Sequence, residues 1–194
     1  PPPPPHQPSI PTRRSSDLAG LEGELEPLDW SSDGHRLLIL QSYRAQHQLY
    51  IYNLDTDQLR KLSHPTGEVG IAEGILRCGS SATYFGLDDR VWVQWQDAVT
   101  PPRVIALDGE DDGGSEPVLS LGQALPGRRL RSITYRSSDG AEIQGWLGVP
   151  DGDGPFPTIL NMHGGPHATM TDKYSPAIQS WLDHGFAYLS INFR

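Results

Sequence analysis

One cysteine, Cys78, occurs in 194 residues, which excludes an internal disulfide framework and a cysteine-based zinc site. Its thiol reads as a small buried hydrophobe, in keeping with a reducing compartment. No apolar run approaches the roughly 18 residues that a membrane-spanning helix needs, and the N-terminus lacks the apolar core of a signal peptide. The expectation is a cytoplasmic chain with no membrane partner. Positive charge is also scarce: 15 Lys and Arg stand against 24 Asp and Glu, a formal net charge of -9. With no basic cluster to override that balance, nucleic acid is not expected as a partner. Hydrophobic residues make up only 36%, whereas 21 Gly and 18 Pro point to a turn-rich, largely β architecture.

The first ten residues, Pro-Pro-Pro-Pro-Pro-His-Gln-Pro-Ser-Ile, have the composition of a polyproline linker. The following Pro-Thr-Arg-Arg-Ser-Ser-Asp-Leu resembles an in-frame reading of a widely used sequencing adapter. Residues 1–18 are therefore read as a non-native, adapter-derived or disordered segment and kept out of the fold reading.

From Leu28 a turn at residues 31–34 (Ser-Ser-Asp-Gly) precedes an apolar run, because Gly accepts positive φ and Asp bonds its own backbone. Residues 48–53 (Gln-Leu-Tyr-Ile-Tyr-Asn) form a second strand, and 59–62 a third after an Asp-rich turn. Three strands within about forty residues match the period of a propeller blade. Further short strands are expected at 82–86, 90–95 and 103–107. Trp30, Trp92 and Trp95 are expected to pack within the sheets, and Tyr50 and Tyr52 share one strand face that is expected to be core. The acidic, Gly-rich run 108–116 reads as a solvated loop, since its oxygens lack the spacing of a calcium loop.

The C-terminal third is more specific. Residues 131–136 and 142–149 flank Ser-Ser-Asp-Gly at 137–140, a hairpin signal. The apolar run 158–162 delivers His163-Gly164-Gly165-Pro166-His167. Residues 174–184 are apolar at Ile178, Trp181 and Leu182 with helical spacing, and Gly185 marks the stop. Residues 186–192 read as a buried strand, expected to leave an unpaired sheet edge. Strand, Gly-rich turn, helix and strand make a βαβ unit with a parallel pair.

The combination of Ile-Thr-Tyr-Arg-Ser-Ser-Asp-Gly-Ala-Glu-Ile-Gln-Gly-Trp-Leu, Asn-Met-His-Gly-Gly-Pro-His and Gly-Phe-Ala-Tyr-Leu-Ser-Ile-Asn-Phe-Arg resembles the prolyl oligopeptidase family of serine peptidases. Within it, His-Gly-Gly-Pro-His is most similar to the acylaminoacyl-peptidase and dipeptidyl-aminopeptidase branch. The resemblance implies the C-terminal part of a β-propeller with TolB-like blades over residues 19–122, followed by the truncated start of an α/β-hydrolase domain over 123–194. It implies a peptidase that hydrolyses short peptides through an acyl-enzyme, with a peptide as partner and no cofactor or metal. Two other readings stay open: a TolB-like propeller that binds proteins without catalysis, and an esterase of the same hydrolase fold.

Glycines at a strand end suit acyl transfer, because a backbone N–H without a neighbouring Cβ can approach a tetrahedral oxyanion. The resemblance makes the N–H of Gly165 the donor, with Gly164 and His163 shaping the loop. Pro166 has no N–H and can only stiffen it. A metal pair of His163 and His167 is disfavoured, since Gly-Gly-Pro between them prevents the helix that would align i and i+4 ligands. No Gly-x-Ser-x-Gly occurs, and Ser132, Ser137, Ser138, Ser175, Ser180 and Ser190 all lack a nucleophile-elbow context. The nucleophile, acid and histidine of a triad are thus expected beyond Arg194, none of them in this chain.

Overall fold

The computed structural model describes residues 18, 20–70, 83–108, 114–120, 127–164 and 169–192. Strands β1 (Glu24–Trp30), β2 (Arg36–Tyr43), β3 (Gln46–Asn53) and β4 (Gln58–Lys61) form an antiparallel meander in chain order. The β1–β2 turn follows from its chemistry: Gly34 has φ +76° and donates its N–H to the Ser31 carbonyl at 2.8 Å. The Ser31 hydroxyl accepts from the Arg36 N–H at 2.9 Å. Between β2 and β3 the two-residue turn puts Arg44 and Ala45 at φ +50° and +58°. That mirror-image geometry suits the twist of a hairpin, but without glycine it costs about 1 kcal/mol per residue.

A second antiparallel sheet holds β5 (Glu68–Val69), β6 (Thr83–Phe85), β7 (Val91–Asp97), β8 (Thr100–Leu107) and β9 (Ser115–Ser120). Pro101 and Pro102 fall inside β8 near its first residue, where a missing N–H is tolerated. Two-residue alternation turns Leu38, Leu40, Leu49, Ile51, Val91, Val93, Trp95, Ile105 and Leu107 into one core shared by both sheets. The inward face of β3 is therefore Leu49 and Ile51; Tyr50 and Tyr52 lie half-buried on the opposite face, contrary to the core expected for them. Trp95 is core, whereas Trp30 is exposed and Trp92 stacks on Tyr84 with centroids 6.4 Å apart.

The third sheet contains β10 (Arg131–Arg136), β11 (Glu142–Gly148), β12 (Thr158–Met162) and β13 (Ala187–Asn192) in the order β10-β11-β13-β12. Pairing is antiparallel except between β12 and β13, which are parallel and joined through helix α1 (Pro176–Asp183). Ser175 caps α1 by accepting from the Ile178 N–H, Pro176 occupies the first turn, and Gly185 at φ +82° ends it. Ile178 and Leu182 face inward onto Leu130, Trp146 and Tyr188, forming a second core. Since β13 lies between β11 and β12, the expected edge at residues 186–192 is wrong; the outer position on that side is held by β12, with Leu160 and Met162 exposed.

The expected fold class, β-propeller blades followed by the start of an α/β-hydrolase domain, does not hold. Among the described residues the strands form three separate open sheets, and no ring of blades closes around a channel. Blade-like spacing along the chain reports only local hairpins; closure requires sheets arranged about an axis, which two sheets sharing a core do not provide.

Leu182 is 1% exposed in the second core. Leu182→Ala should lower unfolding stability in urea by about 2–5 kcal/mol, and Trp181→Ala, on the half-exposed side of α1, by clearly less.

Candidate active site

β12 ends at Met162 and delivers His163 and Gly164, while Gly165, the expected oxyanion donor, lies outside the described residues with 166–168. His163 is half-buried, its Nδ1 3.4 Å from the Gly164 carbonyl oxygen. Gly164 has open space where a Cβ would sit and a φ outside the left-handed region, so neither crowding nor backbone strain demands glycine there.

The far end of this loop is held much more tightly. The carbonyl of Met170 accepts from Trp146 Nε1–H at 2.8 Å and from Asn192 Nδ2–H at 2.9 Å. Asn192 Oδ1 accepts in turn from the Met170 N–H at 2.7 Å, and its Nδ2 also donates to Gln144 Oε1. Both polar groups of one backbone unit are thus tied to the carboxyl end of β13 and to β11. Asn161 Nδ2 donates to the buried Ser190 hydroxyl at 3.0 Å, locking β12 to β13 just before the loop begins. The described residues on either side, Asn161 and Met170, are thus each tied to β13.

Two hollows adjoin this loop, sharing Ala45, Gln46 and Ser132 in their walls. One, of about 540 Å³, reaches Thr169, Gln144 and Asn192. The other, of about 390 Å³, reaches His47, His64, Trp146 and Asp172. The β2–β3 turn overhangs both, and Arg44 Nη2 lies 3.7 Å from Glu142 Oε2 across the gap. Burial pushes His47 and His64 below the ordinary histidine pKa, so both are neutral near pH 7. Because the Pro65 carbonyl can only accept, His64 Nδ1, 2.9 Å away, carries the proton.

Three of the serines have structural roles. Ser175 caps α1, Ser190 is buried in β13, and the Ser132 hydroxyl accepts from Gln144 Nε2 at 2.9 Å. Among the described residues no group of three His, Cys, Asp or Glu is arranged to hold a metal ion; His167 lies outside them. Reading the sequence did not single out Asn192, Trp146 or Met170. The available signal was an asparagine closing an otherwise apolar strand.

The model of the FrsA-like esterase family matches residues 121–194. Esterase FrsA from Escherichia coli is 37% identical over 107 residues, covering 50% of this chain and 25% of the relative, and the Escherichia fergusonii protein matches equally. The chain thus spans about a quarter of the length of these curated relatives. Among solved structures, a prolyl endopeptidase superposes with a TM-score of 0.65 at 20% identity, over 88% of this chain and 24% of the other. A puromycin-hydrolysing peptidase from Mycobacterium tuberculosis gives 0.67 at 16% identity, over 88% and 27%. These two show a shared fold. The sequence matches are to esterases, and the two peptidase structures share the fold alone.

Asn192→Ala removes three hydrogen bonds, two of them to the Met170 backbone. A loss of about 1–3 kcal/mol in unfolding stability is expected. Amide hydrogen exchange should show the Met170 N–H exchanging faster, while amides of β1 to β4 keep their protection.

Proposed function

We propose that this chain contributes the oxyanion loop of a serine hydrolase, and that the enzyme cleaves short peptides through an acyl-enzyme. The carrying observation is the clamp on Met170. A backbone that must donate N–H groups to a developing oxyanion is effective when held in place beforehand, since nothing then reorganises as charge forms. The Asn192 and Trp146 hydrogen bonds to Met170, and the Asn161 bond to Ser190, restrain the described residues on either side of that donor. In this reading the Gly165 N–H is the donor, and Gly164 and His163 shape its approach. Residues 123–194 belong to the catalytic part, and the β2–β3 turn with His64 and Glu68 walls the far side of the hollows through which substrate reaches it.

Attack, proton transfer and leaving-group protonation require a nucleophile, a base and an acid that this chain does not contribute. They belong to the remainder of the protein, in keeping with the quarter-length match to its relatives. The ester formed on the serine would be hydrolysed by water with the same donor stabilising the second tetrahedral species. A second reading, an esterase, is favoured by the 37% identical relatives that carry that name. Both share the acyl chemistry and differ in leaving group, so relative kcat/KM on aminoacyl anilides and simple aryl esters separates them.

Gly165→Pro in the complete enzyme deletes the donor, and kcat should fall about 10²- to 10³-fold with a much smaller change in KM. Gly165→Ala keeps the N–H and should be far less impaired. Two folded variants with full kcat would show that Gly165 is only a turn residue.

A further inference from the structure

We propose that the Asp172 carboxyl group is a protonation-sensitive latch: neutral, it holds the segment leading into α1 against the β7–β8 turn, and ionised, it loosens that contact. The inference stands apart from the hydrolase reading, since it concerns how the second sheet meets the third.

The contact is built from polar groups on both sides. Asp172 Oδ1 accepts from the Ala98 N–H at 3.2 Å, and the Tyr174 N–H donates to Gln96 Oε1 at 3.3 Å. Gln96 Nε2 donates to Glu68 Oε2 at 2.6 Å, and the Thr171 hydroxyl donates to Glu68 Oε1. Three carboxyl groups from three different segments therefore meet at one seam: Glu68 on β5, Asp97 on β7 and Asp172 before α1. Arg129 is the guanidinium that answers them, and its Nη1 is committed to Asp97 Oδ2 at 2.8 Å. His47 and His64, both kept neutral by burial, stand across the hollow that Asp172 lines and add no positive charge near pH 7. Lys173 is the neighbouring residue in the chain.

Such surroundings favour the neutral acid. Burial is the largest cause raising the Asp172 pKa from 3.8 to about 6, with Asp97 and Glu68 adding repulsion against the opposing pull of the Ala98 N–H and Arg129. A carboxyl whose pKa is higher in the closed contact than in the open one binds a proton on closing. The latch is therefore fully effective below about pH 4, weakens above it, and is lost as pH rises through about 6. Asp172 is half-buried, so solvent screening makes the effect smaller than the full shift would imply.

Amide hydrogen exchange of the intact chain tests this, with rates corrected for the intrinsic pH dependence of exchange. Protection of the Ala98 and Tyr174 amides should drop several-fold, up to about tenfold, between pH 5 and pH 7.5, while core amides of β2 and β3 hold theirs. Asp172→Asn keeps the acceptor and the shape but cannot ionise, so its protection should be flat across that range. Arg129→Gln, at a side chain 72% exposed, removes the favourable charge and should move the midpoint to higher pH. An unchanged protection profile in the native chain, a transition that persists in Asp172→Asn, or a midpoint indifferent to Arg129→Gln would each overturn the latch.

Discussion

The tip of the β7–β8 hairpin is where the two halves of the described structure join. Ala98 belongs to the second core, beside Leu130, Trp146 and Ile178, although the strands on either side of it belong to the second sheet. Its carbonyl accepts from Gln179 Nε2 at 3.0 Å, and the same side chain donates to the Arg128 carbonyl and accepts from the Arg128 N–H. One glutamine on α1 thereby ties the helix to the hairpin tip and to the segment entering β10. With α1 fixed, β13 is fixed behind it, and Asn192 at the end of β13 holds the Met170 backbone. The position of Met170 depends on packing about one alanine.

That joint is more polar than either core it connects. Asp97 is 3% exposed and is met by the Val99 N–H and by Arg129, whose own side chain is 72% exposed. Joints of this kind have steep geometry requirements but little apolar area, so they fix orientation without fusing two sheets into one core. Access to the hollows between the β2–β3 turn and the third sheet is therefore tied to this small set of hydrogen bonds rather than to a large greasy interface. The strained Arg44-Ala45 turn, reaching across toward Glu142, belongs to the same arrangement.

Local chemistry was legible from the residues. Ser31 to Gly34, Asp139-Gly140, Ser175-Pro176 and Gly185 each announce a turn or a helix end, because the conformation they favour is intrinsic to one or two residues. The parallel partnership of β12 and β13 likewise follows from the helix between them. What escaped was long-range. Ser115–Ser120 joins the second sheet although its composition is that of a loop, since pairing with β8 supplies what its own propensity does not. The reading of propeller blades failed for the same reason: hairpin spacing is local, whereas closure is a property of how sheets surround an axis. At the candidate site, the Gly-Gly turn was visible as a pattern, but the clamp depends on Trp146, Met170 and Asn192, far apart in the chain, meeting at one peptide group.

On the function proposed above, the serine that attacks the acyl carbon lies outside residues 19–194. Intact-mass analysis of the complete enzyme after treatment with a fluorophosphonate, followed by peptide mapping, tests that most directly. The expected result is a single adduct on one serine outside residues 19–194, formed more slowly when Gly165 is replaced by proline. An adduct on Ser132, Ser137, Ser138, Ser175, Ser180 or Ser190, or an active enzyme that takes up no label at all, would contradict it.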